Sequence, residues 1–200
     1  PDAIRINDVG VSCLNANGRR QLGLACIPEE RLGRGAAAGF SLRDNFCLTH
    51  HGRNLLRYGF IKYKEADKRT AQVIDRFSVL CDGPSAAAES LSGGNLQRFI
   101  VGREIELNPT VLIVSQPTWG LDVAAAAFIR QTLIDLSRSG SAVLIFSEEL
   151  EELLEICDHI AVMYAGQIST PVPRSDAELE HIGLLMAGEG FSIQTTPQGH

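Results

Sequence analysis

Lysine is scarce in this chain: Lys62, Lys64 and Lys68 are the only three in 200 residues, and none sits in a glycine loop. No Gly-Lys dipeptide occurs. That excludes, within these residues, a GxxxxGK[ST] loop, the element whose backbone wraps a nucleotide's phosphates while its lysine neutralises them. Cysteine is also sparse: five residues, at 13, 26, 47, 81 and 157, with no CxxC pair. An odd, scattered set offers no disulfide framework and no thiolate metal cage, and it suits a reducing compartment. No run of about eighteen apolar residues exists, so no stretch reads as a membrane-spanning helix. The opening PDAIRIND lacks the pattern of a secretion signal. It enters a strand-like alternation almost at once, as expected of a piece cut from something longer. Repeats and low-complexity segments are missing. The net charge of −6, with no basic stripe, argues against a nucleic-acid partner.

What is present is an ordinary globular composition, 44% apolar and 21% charged, long enough for one domain with a sizeable core. One stretch organises it: ESLSGGNLQRFIVGREIELNPTVLIVSQPTWGLD, Glu89–Asp122. Ser92 is a good N-cap, because its hydroxyl accepts from an orphan amide at a helix start. Gly93 and Gly94 keep side chains off that helix end. Exposed amides and the positive end of the helix dipole favour an anion, most often phosphate. Leu96, Phe99, Ile100 and Arg103 follow at helical spacing. Asn108-Pro109 closes the helix, since a residue before proline is pushed out of the helical region. Val111–Val114 is a short apolar run that reads as a strand buried on both faces.

Around this centre, Ala3–Asn7 alternates as a half-buried strand, Asn17-Gly18 signals a turn, and Leu22–Ile27 is an apolar strand stopped by Pro28. Gly33 and Gly35 read as turn glycines. Phe40–Leu56 and Ala66–Cys81 read as helices, the second burying Val73, Phe77 and Leu80 with Lys68, Arg69 and Asp75 outside. The basic scatter Arg53, Arg57, Lys62, Lys64, Lys68 and Arg69 reads as a solvated face, with a protein partner or acidic lipid as the functional alternative. His50-His51 makes a poor metal pair, because adjacent helical residues point apart. Beyond Asp122, Ala125, Phe128, Ile129, Leu133 and Leu136 stripe a helix capped by Gly140. Val143–Phe146 is a further buried strand, Glu149–Ile156 a helix and Ile160–Met163 a strand. Ala165-Gly166 turns into Gln167-Ile168 as a hairpin. Ser175 and Glu178 form a capping-box pattern for a helix ending at Met186, and Gly190–His200 is expected to fray. Strand and helix alternation predicts a parallel sheet with helices on both sides.

Leu91–Arg98, LSGGNLQR, resembles the signature motif of ABC transporter ATP-binding domains, and Val111–Asp122 resembles their Walker B strand and D-loop, in the same order and spacing. The segment GLACIPEERLGRG is similar to the Q-loop region of sugar and nucleoside importer ATPases, with Glu29 where other ABC ATPases have glutamine. IGLLMAG, Ile182–Gly188, resembles the end of nucleoside-type importer ATPases. The resemblance covers roughly residues 3–188. It implies an α/β, P-loop NTPase-like parallel-sheet core lacking its P-loop segment, with an inserted helical subdomain. The expected divisions are 1–35 for the core up to the Q-loop-like turn and 36–90 for the helical subdomain. The signature, Walker B, D-loop and switch part takes 91–170, and a C-terminal helix and tail take 171–200.

The family's catalytic positions are changed. Its Walker B strand ends Asp-Glu; here Ser115 and Gln116 stand there, and neither neutralises a divalent ion or acts as a general base. Its switch histidine is replaced by Glu148, an acid that repels a γ-phosphate. The signature residues Ser92, Gly93, Gly94, Asn95 and Gln97 are intact, as are Gly120, Leu121 and Asp122 of the D-loop. The resemblance therefore implies a chain that closes its signature loop over nucleotide held by another domain, while its own site is degenerate. ATP and Mg belong to the full-length assembly, with none bound by this chain alone and no catalytic residue or metal site of its own. ATPase activity is expected only in that assembly. The implied partners are the first ATP-binding domain of the same protein and transmembrane permease subunits, at the cytoplasmic face of the inner membrane. The fragment itself is expected to be soluble, with sheet edges bare enough to self-associate as a homodimer. A non-catalytic regulatory module with an ABC-like shell is the alternative. A DNA-repair type ATPase fits poorly, lacking both the Walker B acid and a basic stripe. Trp119 is read as a partly buried anchor, against an exposed ring that stacks on a partner or a base.

Overall fold

The computed structural model describes residues 4–50 and 55–191. Ala3, His51, Arg53 and residues 192–200 lie outside that set. The chain divides into two compact units, Pro1–Phe146 and Ser147–His200.

The first unit opens with an antiparallel pair, β1 (Arg5–Ile6) and β2 (Val9–Gly10), turned by Asn7 and Asp8, both at positive φ. Asn and Asp tolerate that region better than other side-chain-bearing residues. Helix α1 (Ala16–Gln21) follows, so Asn17-Gly18 is not a turn; the Asn15 side chain accepts from the Gly18 amide and starts a helix there. Three parallel strands then form the sheet: β3 (Leu24–Ile27), β6 (Val111–Ser115) and β7 (Ala142–Phe146), with β6 in the middle. The register pairs Ala25 with Leu112 and Val114 with Ile145. Helix α4 (Gly93–Ile105) packs on β3 and on α5 (Val123–Arg138). Ile27, Leu112, Val114, Phe99, Ile129 and Leu133 form the core between them. Strand β7 corrects the expectation of a buried strand. It is one of the two edge strands of the described sheet, and Leu144 and Phe146 are 51% and 40% exposed.

The helical layer is shorter and more broken than its sequence suggests. Helix α2 (Leu42–His50) ends before Leu56, where β4 (Leu56–Arg57) pairs with β5 (Phe60–Ile61) in a tight antiparallel hairpin. Helix α3 (Tyr63–Arg76) starts earlier and stops earlier than read. Ser78 lies at positive φ, and the chain leaves the helix before Leu80, which is 77% exposed rather than on the buried face. Arg69 is not an outward charge: it forks onto Glu106, at 2.7 Å to each carboxylate oxygen.

In the second unit, α6 (Leu150–Ile156) and α7 (Leu179–Met186) enclose a small core of Ile160, Val162, Ile182 and Leu185. The strand read at 160–163 is two strands, β8 (His159–Ile160) and β9 (Met163–Tyr164). β9 pairs with β10 (Gln167–Ile168) over Ala165-Gly166, the hairpin expected, and β8 pairs with β11 (Val172–Pro173). The capping box does not form. Ser175 lies in a 3-10 turn bonded to Asp176 at 2.8 Å, and Glu178 precedes α7 without a side-chain cap.

Candidate functional site

The candidate site gathers at the C-terminal ends of β3 and β6, where open parallel sheets expose their loops. Three segments meet there: Glu29–Gly35 after β3, the start of α4, and Ser115–Asp122 between β6 and α5.

Ser92 caps α4 as expected. It is exposed, and its hydroxyl accepts from the Asn95 amide at 3.4 Å and from Asn95 Nδ2 at 3.0 Å. Asn95 in turn accepts the Leu80 amide through Oδ1 at 2.9 Å, which ties the α4 start to the segment leaving α3. The two glycines serve close approach. A Cβ on Gly93 would meet Arg31 Nη1 at 3.3 Å, and one on Gly94 would meet the Ala125 Cβ at 3.4 Å and Asp122 Oδ2 at 3.8 Å. Gly94 therefore lets the starts of α4 and α5 lie side by side. Asp122 caps α5 through Oδ1 to the Ala125 amide at 2.9 Å.

Gln97 is buried to 1% and works in two directions. Its Nε2 donates to the Pro117 carbonyl at 2.9 Å, and its Oε1 accepts from Arg31 Nε at 3.1 Å. Arg31 Nη2 also donates to the Trp119 carbonyl. One guanidinium thus joins all three segments. Burial pushes it down from the ordinary arginine range, and both these acceptors are neutral. Sequence reading missed Arg31; its place two residues after Glu29 in the Q-loop-like segment was the available signal. Glu29 itself is exposed just beyond β3. Trp119 is 58% exposed, which overturns its reading as a partly buried anchor. Gly120 turns the loop at positive φ, and the Leu121 amide donates to the Thr118 carbonyl at 3.1 Å.

Ser115 ends β6 and Gln116 follows it, both half-buried. Gln116 is held at φ 48°, its amide on the Phe146 carbonyl at 2.7 Å. Glu148 is exposed and belongs to the second unit, where the neighbouring Ser147 hydroxyl donates to Glu152 at 2.9 Å. A magnesium–triphosphate needs hard anionic oxygens, and a hydroxyl and an amide are poor substitutes. Ser115 and Gln116 do not fit that ion, and no cluster of three or more His, Cys, Asp or Glu residues placed to hold a metal exists among the described residues. His50 is no ligand either. Its ring is fully buried, with Nε2 on Glu106 at 2.6 Å.

No family profile matches the chain. Solved structures do. A dimeric ATP-binding cassette in a post-hydrolysis state with ADP and phosphate aligns over 84% of this chain and 72% of its own, with a TM-score of 0.69 at 17% identity. An inward-facing putative metal-chelate type ABC transporter aligns over 83% of this chain and 64% of its own matched chain, with a TM-score of 0.66 at 16% identity. The chain has the fold of an ABC ATPase. Its sequence relatives agree with this ABC fold. The nucleoside import ATP-binding protein NupA of Lactococcus lactis is 39% identical over 163 residues, 81% of this chain and 32% of the relative. The guanosine import ATP-binding protein NupO of Bacillus subtilis is 35% identical over 186 residues, 92% of this chain and 36% of the relative. A putative ribose/galactose/methyl galactoside import ATP-binding protein of Agrobacterium fabrum is 36% identical over 186 residues. The chain spans about a third of the length of these curated relatives. Among the described residues, no helix is long and apolar enough to cross a membrane.

Proposed function

We propose that this chain is the signature-donating part of an ABC importer's ATP-binding protein, of the kind that takes up nucleosides or simple sugars. In this reading, Ser92, Gly93, Gly94 and Asn95 close over a nucleotide cradled by a different domain, with Gln97 holding the loop in place. Gly120, Leu121 and Asp122 lie at the same junction. The chain's own site is retired, because Ser115, Gln116 and Glu148 replace the acid, base and histidine that the chemistry needs. Permease subunits and a P-loop-bearing ATP-binding domain are its partners. ATP and Mg supply the phosphoryl chemistry in that assembly, not here.

The observation that carries the reading is the contrast within one loop cluster. The α4 start keeps an exposed serine at its N-cap, followed by two glycines, and is braced by Gln97 and Arg31. The β6 end, meanwhile, has no carboxylate at Ser115 or Gln116. Phosphate suits the first and magnesium has no purchase at the second.

Complementation in trans tests this. A P-loop-bearing ABC domain from a nucleoside-importer relative, disabled at its own signature serine, should regain ATP turnover when this chain is added. The Ser92→Arg variant should restore none. Turnover by this chain alone, or equal rescue by both forms, contradicts the proposal.

A further inference from the structure

Three charged side chains with no part in the signature-loop reading meet in the first unit. Glu104 of α4 is fully buried, and its two oxygens take different guanidiniums. Oε2 accepts from Arg20 of α1 at 2.7 Å, and Oε1 accepts from Nε of the neighbouring Arg103 at 3.0 Å. Arg103, itself buried, donates through Nη2 to the Gly35 carbonyl at 2.8 Å. This part of α4 is otherwise apolar, with Phe99, Ile100, Val101 and Ile105 all buried. Stability does not call for charge there, because apolar side chains of similar volume commonly do as well as a buried Arg–Glu–Arg set. What hydrogen-bonded charges supply, and apolar packing lacks, is direction.

The loop after β3 needs that direction at Gly35, which is buried and has no side chain to pack. A Cβ there would lie 2.8 Å from the Arg31 carbonyl oxygen and 3.0 Å from Ile100 Cδ1, so the loop runs directly against α4. The loop also closes on itself. The Gly35 amide donates to the Glu30 carbonyl at 2.9 Å, and the Ala36 amide to the Arg31 carbonyl at 2.7 Å. Within this closed turn sits Arg31, whose guanidinium reaches Gln97 and the Trp119 carbonyl. Gln97 and Arg103 stand about 9 Å apart along the axis of α4. The loop is thus pinned to the helix at two points, which stops it sliding or swinging. We infer that Glu104 and Arg103 are positioning residues for the signature loop. Glu104 aims Arg103, Arg103 sets the place of the loop through Gly35, and that place brings Arg31 to Gln97. The consequence for the signature rests on the reading proposed above; the positioning of the loop does not.

The test removes all three charges at once, so that none is left stranded. The triple variant Arg20→Met, Glu104→Leu, Arg103→Met fills the same space with apolar side chains. In the full chain it should melt within about 5 °C of the parent. Hydrogen exchange of the Gly33, Gly35 and Ala36 amides should nonetheless quicken about tenfold or more, and acrylamide should quench Trp119 more readily. In the trans assay, maximal rescued ATP turnover should fall about tenfold. Parent-like exchange at those amides overturns the inference, because the charges then position nothing. A larger drop in melting temperature also overturns it, because the charges then hold the fold itself. So does full rescue by a variant whose loop exchanges fast, since the place of the loop then has no bearing on the signature. If the parent chain rescues nothing, the signature reading fails, and exchange alone decides whether Glu104 and Arg103 position the loop.

Discussion

Arg31 ties the start of α4 to two other segments, because its guanidinium reaches Gln97 and the Trp119 carbonyl from the loop after β3. Replacing Arg31 with Ala strands the buried Gln97 Oε1, and an unpaired buried acceptor costs about 1–3 kcal/mol. Trp119 is the one tryptophan in the chain, so the same variant has a local readout. Thermal melting should show the loss, and acrylamide quenching of Trp119 should rise as its loop is freed. Unchanged melting and quenching would show that the tie carries no weight. Residues such as Ser92 and Gln97 were legible because a contiguous motif names them. Arg31 was not. Its partners lie 66 and 88 residues away in sequence, and no local pattern reports a contact that only the closed sheet creates. The exposure of Trp119 was hidden for the same reason.

At the scale of elements, the strands were easier to read than the helical layer. Val111–Val114 and Leu22–Ile27 are apolar runs bounded by proline or glycine, and both pair in the parallel sheet. The stretch from 40 to 56 looked like one helix because it holds no proline, and its single glycine, Gly52, is a weaker stop signal. The turn at Tyr58-Gly59 lacks the asparagine that normally announces a hairpin. Helix α3 ends where Phe77 lies over α4. A Cβ on Gly102 would come within 2.5 Å of the Phe77 ring and 2.9 Å of Val73. Gly102→Ala should therefore destabilise by about 1–3 kcal/mol through overpacking, despite its better helix propensity, as denaturant melts would measure. Helices α2, α3 and α4 are also joined by charge. Burial lowers His50, outweighing the pull of Glu106, so its ring is neutral when folded. Burial raises the Glu106 carboxyl, but the hydrogen bonds from His50 and Arg69 outweigh it and hold the carboxyl below its ordinary range. Both groups bind protons more readily unfolded than folded, so both contributions to stability are present at neutral pH and lost on acidification. Stability should begin to fall below about pH 6.5 and fall faster below about pH 4.5, as the unfolded His and Glu titrate. A His50→Gln variant should lose the upper part of that dependence and keep the lower. A pH-independent melt from 7 to 4 would count against the network.

Over the whole molecule, the sheet class was legible and its surroundings were not. Alternating strands and helices imply parallel pairing, and β3, β6 and β7 are parallel. Whether β7 is buried depends on what lies along its outer edge, which an apolar run cannot reveal. The asymmetry proposed for the site belongs to this scale as well, since a loop that serves another domain has meaning only in an assembly. The most direct measurement is calorimetric titration of this chain, alone, with magnesium–ATP. The account predicts no saturable binding tighter than about 1 mM, unchanged in a Ser92→Ala variant. Micromolar binding with magnesium seated at Ser115 and Gln116, lost when those two are altered, would contradict it.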